Sequence, residues 1–417
     1  MAQTSVKHLL NGTSRRDVDP VDWGDWRWQY RHQIRSTREL LEHMPEAGPY
    51  VAARIPGGEA GIVELDARLA ESFRVAVTPY YLSLARPQGP GDKNTERPCP
   101  VLAQILPAAA ELEDTGYPAP DPLAEERHSP LRGITHRYPD RILWYLSHSC
   151  AVYCRYCLRK RKVSQADSAP RRDEYAAIFE YIEQHSEIKE VILSGGDPLS
   201  LSDDRLDQIL IRLRGIPHLS SIRLHTRMPV TLPQRITPEL CRMLERHYPL
   251  TLVTHFNHSA ELENDPAPTQ AIRRLRTIGG VTVLNQSVLL KGVNDTTADQ
   301  ERLVLTLLKA GVIPYYLHRC DEVNGVGHFR VPLERGMEIL GELRGRNPGI
   351  ALPRYVVDLP DGGGKIALEP DYLIERSADV SSGTTTYRFW NYERQREFLV
   401  IDKPAQAGQD GRSESGD

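Results

Sequence analysis

The chain has 417 residues, more than most single domains, so one large barrel with extensions or two closely joined domains is expected. Hydrophobic residues make up 40% and charged residues 26%, and a formal net charge of −4 with a pI near 6.4 gives no reason to expect a nucleic-acid partner. The polar opening, Met1 to Pro20, lacks the apolar run of a signal peptide, and no segment offers about 18 consecutive apolar residues, so a soluble cytoplasmic protein with no membrane partner is expected.

Residues 1–130 read as a mostly helical cap or arm. Trp23, Trp26, Trp28 and Tyr30 form a compact aromatic segment, and Leu40, Leu41 and Met44 follow at helical spacing. Proline-rich stretches interrupt at Ala85 to Pro100 and Tyr117 to Pro130, and an independent module is the alternative reading. From Arg141 the pattern changes to short apolar runs: Ile142 to Leu146, Val191 to Leu193, Ile222 to His225, Leu250 to His255, Val281 to Leu289 and Val312 to His318. Amphipathic stretches separate them, at Asp173 to His185, Ser202 to Arg214, Pro238 to Arg246, Thr269 to Ile278 and Ala298 to Ala310. Alternating strands and helices predict an α/β fold with a parallel sheet, and six units over residues 131–345 suit a partial β/α barrel. Functional groups should gather at the C-terminal ends of its strands, where Cys150, Ser194 to Asp197, His225, His255 and Asp321 fall. Residues 346–400 form a separate C-terminal segment with a Gly-rich loop, and 401–417, rich in Gly, Ser, Asp and Gln, read as a disordered tail.

Of six cysteines, Cys150, Cys154 and Cys157 lie within eight positions, while Cys99, Cys241 and Cys320 are scattered. Clustered thiols without an export signal are metal ligands rather than a disulfide framework. A zinc site would need a fourth ligand, for which His148 is the near candidate. A four-iron cluster on three thiolates leaves one iron open. The Cys-x-x-x-Cys-x-x-Cys spacing, with Tyr156 before the last cysteine, resembles the motif of the radical S-adenosylmethionine superfamily. That resemblance implies a [4Fe-4S] cluster, S-adenosylmethionine chelated at the open iron, and an external electron donor of flavodoxin or ferredoxin type. Ser194-Gly195-Gly196-Asp197 matches the superfamily's Gly-Gly motif, whose small residues let the backbone approach the methionine amino group.

Asp358 to Lys365 carries three consecutive glycines, Gly362 to Gly364, before the lysine. The hydroxyl residue of a P-loop is missing, with Ile366 in its place. A solvated loop lysine is one reading, and a lysine whose amine reaches a cavity to form a Schiff base is the other. Together with the cysteines, the chain from about Trp23 to about Phe398 resembles lysine 2,3-aminomutases. The resemblance implies that Lys365 binds pyridoxal 5′-phosphate. It implies Arg137, Tyr138 and Arg141 near the phosphate or ring, as an arginine fork suits a phosphate dianion. By the same resemblance Gln286 and a histidine of Thr254-His255-Phe256-Asn257-His258 contact S-adenosylmethionine, the choice between His255 and His258 staying open. Arg159 then pairs with the substrate carboxylate.

The implied reaction moves the α-amino group of an L-amino acid to the β-carbon after hydrogen abstraction by a deoxyadenosyl radical. Asp321 and Asp358 match two aspartates that hold the substrate ammonium in the lysine enzymes, and two carboxylates around one cavity argue for a cationic side chain. Lysine is the first choice. Arginine, as in an arginine 2,3-aminomutase of specialised (antibiotic) metabolism, fits the same charge logic, and Arg319 beside Asp321 departs from the family. No cysteine follows Cys320, so a homo-oligomer would lack the intersubunit zinc of the clostridial enzymes, and Asp361 stands where the family has a glycine. A non-catalytic iron–sulfur redox protein is the alternative of a different class.

Overall fold

A computed structural model describes residues 18–86, 99–113, 121–163, 165 and 168–402. Its main feature is a nine-stranded sheet in sequence order: β1 (Ile134–Tyr138), β2 (Arg141–Ser147), β3 (Glu190–Gly195), β4 (Ser221–His225), β5 (Thr251–Thr254), β6 (Thr282–Leu289), β7 (Ile313–Arg319), β8 (Arg354–Leu359) and β9 (Gly364–Leu368). Strands β2 to β8 are parallel, and β1 and β9 add antiparallel edges. All six sequence-predicted strands are present. The sheet exceeds that reading by one parallel strand, because the run Tyr355 to Val357 is buried and pairs with β7 rather than leading a separate segment.

Six helices make the crossovers: α1 (Tyr175–Gln184), α2 (Asp203–Arg214), α3 (Pro238–Glu245), α4 (Ala267–Thr277), α5 (Thr297–Lys309) and α6 (Leu333–Leu343). Their ends follow from local chemistry. Ser202 caps α2 by accepting from the Arg205 N–H, Asp203 and Asp204 occupy its first turn, and Arg212 and Arg214 its last, as the helix dipole favours. Leu206, Ile209, Leu210 and Leu213 recur at i, i+3, i+4 and i+7 and are buried. Burying each contributes about 1.5–3 kcal/mol, enough to fix which face meets the sheet.

Short helices fill the N-terminal region, among them Trp26–Arg31, Thr37–His43, Gly48–Arg54 and Gly58–Ser72. Their buried residues Ile34, Leu40, Tyr50 and Leu65 share one apolar core with Ile142, Trp144 and Leu146 of β2. Past the barrel, β10 (Leu373–Asp379), β11 (Thr384–Trp390) and β12 (Glu397–Asp402) form a second, antiparallel sheet with Leu399 and Ile401 exposed. Ile401 and Asp402 thus end a strand, and the rest of the expected tail lies outside the described residues.

Candidate active site

The cysteine loop begins where β2 ends, and the N-terminal cap holds it. Gln33 donates to the Cys150 and Ala151 carbonyls at 2.9 Å, the Tyr30 hydroxyl lies 2.8 Å from Ser149 Oγ, and the Tyr153 N–H reaches the Ala76 carbonyl. Arg155, between two of the cysteines, is fully buried and forks onto Glu111 (Nε to Oε1 2.8 Å, Nη2 to Oε2 2.5 Å). Burial works to raise the Glu111 carboxyl, but the Arg155 charge outweighs it and holds the acid below its usual range. Burial also pushes the Cys157 thiol up to about 11, with the Cys154 charge adding to it, and raises Cys150 further. Thiolates at Cys150 and Cys157 are therefore unfavourable here unless a cationic centre joins them. No group of three His, Cys, Asp or Glu residues among those described is placed to hold a single metal ion, so the zinc reading with His148 finds no support. All six cysteines are free.

The Gly-Gly-Asp segment ends β3 against this loop. A Cβ at Gly195, whose φ is +122°, would lie 2.7 Å from the Ser147 carbonyl, and one at Gly196 2.5 Å from that of Ser149. The glycines are therefore required first by the backbone entering the cysteine loop. Asp197 is buried and engaged: it accepts from the Leu199 N–H at 3.0 Å, Thr226 Oγ1 at 2.7 Å and the Arg227 N–H at 2.8 Å. Burial still lifts its carboxyl to about 6. Ser194 is buried in β3 opposite Tyr145 of β2.

Geometry separates the two histidines that the sequence could not. His258 turns to α5, its Nδ1 accepting from the Ala260 N–H and its Nε2 lying 3.8 Å from Asp299. His255 stacks on Tyr156 at 5.8 Å, and its Nε2 is buried without a partner. Of the two histidines left open by the sequence, His255 is the one with an unpartnered ring nitrogen. Burial lowers His255 to about 3, with the Arg227 charge adding to it, and burial holds His225 and His318 well below the usual histidine range, His255 adding to both. Gln286 is half-buried on β6, just past a register shift at Asn285.

At the other end of the sheet Lys365 lies on β9, not in the loop, directly opposite Asp358 on β8. The glycines serve the hairpin turn instead: Gly362 and Gly364 have φ of +81° and +89°. Asp361 adopts φ +54°, a left-handed conformation that aspartate tolerates, which accounts for its departure from glycine. Lys365 Nζ donates to Asp358 Oδ2 and to His318 Nδ1 at 3.2 Å. Tyr138 Oη accepts from the Lys365 N–H at 2.7 Å, and Arg141, paired with Asp140, stacks over the Tyr138 ring. Arg137 Nη1 is 4.0 Å from Asp358, and its Nε is buried without a partner. Burial, then the Asp358 charge, pushes Asp321 up to about 7, with Lys365 opposing. Arg159 is held by Glu125, with Nη2 2.7 Å and Nε 3.1 Å from one oxygen. Arg319 turns away to Glu322 at 2.8 Å.

Sequence reasoning missed Glu125, His318, Arg227 and Glu261. His318 offered a signal, a polar residue near the end of a strand, as His225 did. The others act through partners far along the chain. The arrangement joins a thiol-bearing loop, a glycine turn and a lysine–aspartate pair at one barrel, with orphaned polar atoms on His225, His255 and Arg137. Such groups suit bound cofactors rather than a closed core.

Residues 144–302 match the family model of the radical SAM superfamily, the class that the parallel barrel and its cysteine loop define. Residues 340–383 match the model described as lysine-2,3-aminomutase. The L-lysine 2,3-aminomutase of Clostridium subterminale is 42% identical over 87% of this chain and 82% of its own length. That of Acetoanaerobium sticklandii is 41% identical over 86% and 82%. The glutamate 2,3-aminomutase of Clostridioides difficile is 37% identical over 90% and 82%. The chain belongs to the lysine 2,3-aminomutase family of radical SAM enzymes. It is an aminomutase, and so an isomerase, of the class that works with a [4Fe-4S] cluster, S-adenosylmethionine and pyridoxal phosphate.

Proposed function

We propose that this enzyme moves the α-amino group of a basic L-amino acid, lysine before arginine, to the β-carbon in the cytoplasm. Cys150, Cys154 and Cys157 would hold the cluster. Ser194 to Asp197, His255 and Gln286 would border S-adenosylmethionine. Lys365, Arg137, Tyr138 and Arg141 would hold pyridoxal phosphate. When bound, the cluster and S-adenosylmethionine supply hydrogen-atom abstraction, and pyridoxal phosphate supplies the carbonyl chemistry that lets an amine migrate. The remaining work belongs to the chain. Asp358 and His318 accept hydrogen bonds from Lys365 Nζ and so orient the amine. Arg159 is oriented by Glu125, which leaves Nη1 toward a substrate carboxylate. The N-terminal cap fixes the backbone of the cysteine loop through Tyr30, Gln33 and Ala76.

One feature carries the substrate reading: Asp321, half-buried just past the end of β7, shares its surroundings with Asp358, and desolvation together with the Asp358 charge pushes its carboxyl up to about 7. Lys365 and Arg137 both face Asp358, and among the described residues Asp321 forms no ion pair, which a basic side chain would supply. The test is anaerobic turnover of single amino acids by the reconstituted enzyme with an external one-electron donor, read as β-amino products by mass spectrometry. Lysine or arginine should turn over and glutamate should not. Glutamate turning over faster than both would overturn the reading.

A further inference from the structure

Arg227 lies two residues past the end of β4 and is 9% exposed, yet none of the cofactor-binding roles proposed above uses it. Its three guanidinium nitrogens are all engaged. Nη2 donates to Gln104 Oε1 at 2.6 Å, Glu261 Oε1 at 2.7 Å and Tyr81 Oη at 3.0 Å, and Nε donates to the His255 carbonyl at 3.0 Å. The group lies between two rings, 5.2 Å from Tyr81 and 5.7 Å from Tyr156. Nη1 is spent on sulfur, 2.8 Å from Cys154 Sγ. A buried Arg–Glu pair needs no thiol to be satisfied. Here the fork is held so that its remaining corner meets one of the three cysteines. The same residue's backbone N–H, with Thr226 Oγ1, fixes Asp197, so one dipeptide ties the cysteine loop to the Gly-Gly-Asp turn.

We propose that Arg227 is a positioning residue for the iron–sulfur centre, fixing the Cys154 sulfur and raising the cluster's reduction potential, with the Glu261 carboxylate acting in the opposite sense. The proposal rests on the assignment of Cys150, Cys154 and Cys157 to the cluster. Reduction adds one electron from the external donor and makes the centre one charge more negative, with no proton taken up by Arg227. A donor and a positive charge at a ligand sulfur stabilise that added electron. Glu261, fully buried behind the guanidinium, offsets part of the effect. Arginine is needed because a lysine has no fork to meet sulfur, amide and carboxylate at once.

The test is a redox titration of the reconstituted full-length enzyme followed by electron paramagnetic resonance, with iron content measured on each sample. Arg227→Gln should lower the midpoint potential and Glu261→Gln should raise it. Arg227→Lys should fall between the wild type and Arg227→Gln. A purely structural role would not shift the two variants in opposite directions. Equal potentials at equal iron content, or shifts of the same sign, would overturn the proposal, as would weaker S-adenosylmethionine binding with an unchanged potential. Should Arg227→Gln fail to assemble a cluster, Arg227→Lys and Glu261→Gln carry the comparison. Cys154→Ala separates the two failures, since iron retained there would sink the cluster assignment itself.

Discussion

The cysteine end and the lysine end of the barrel are built on different terms. Around the cysteines the scaffold supplies its own partners: Arg155 is matched by Glu111, Arg227 by Glu261 and Gln104, and Asp197 by three donors. Around Lys365 the partners are incompletely met: Lys365 and Arg137 both face Asp358, the Asp358 charge works to raise Asp321, and Arg137 Nε has no partner. A preorganised shell suits a cofactor that stays through every turnover, and an unbalanced one suits groups that come and go.

Cutting a cysteine should have the largest effect. Cys150→Ala, Cys154→Ala or Cys157→Ala should abolish both iron binding and deoxyadenosine formation, while Cys99→Ala, Cys241→Ala and Cys320→Ala keep the iron. Iron analysis and product chromatography read both. Lys365→Ala should abolish turnover and the pyridoxyl label left by borohydride, located by peptide mapping, yet keep full iron content. Loss of iron in that variant would show the two ends to be one unit.

Asp321→Asn should lower kcat/KM for the basic substrate by on the order of 2 to 5 kcal/mol, as removing one partner of a buried charge pair does. The sign with pH follows. Cation binding needs the carboxylate ionised, and with Asp321 near 7 kcat/KM should rise with pH through that value and then level. The step should vanish in the variant. The smallest effect is expected at Glu125, whose carboxyl burial works to raise but which Arg159 and Lys162 hold down at about 2. A depressed carboxyl contributes stability above its unfolded value that is lost as pH falls toward 2. Glu125→Gln should therefore cost about 1–3 kcal/mol at pH 7, measured by denaturant unfolding of the apoprotein, and shrink the loss seen between pH 5 and pH 2.

What the sequence disclosed was what is local along it. The cysteine triplet is legible because three ligands of one centre fit in a single loop, and α2 is legible because its cap and apolar stripe lie within 13 residues of Ser202. Contacts between distant segments were not legible. Arg227 meets Cys154 across 73 residues and Arg159 meets Glu125 across 34, and no spacing rule reports either. The glycine run also has a backbone task that the sequence did not disclose. It makes the turn that sets Lys365 against Asp358, a register that only the β8–β9 pairing reveals.

The hydrogen bond from the Lys365 N–H to Tyr138 Oη joins the last strand of the nine-stranded sheet to the first. An open sheet leaves two edges free to pair with other chains, and this contact laces one to the other. The groups proposed for pyridoxal phosphate stand on both sides of that seam, Arg137 and Tyr138 on β1 and Lys365 on β9. The cofactor would then act as a clasp on the barrel as well as a reagent. At 100 times its dissociation constant it would add about 2.7 kcal/mol to stability. Amide protons of β1 and β9 should exchange more slowly as it binds.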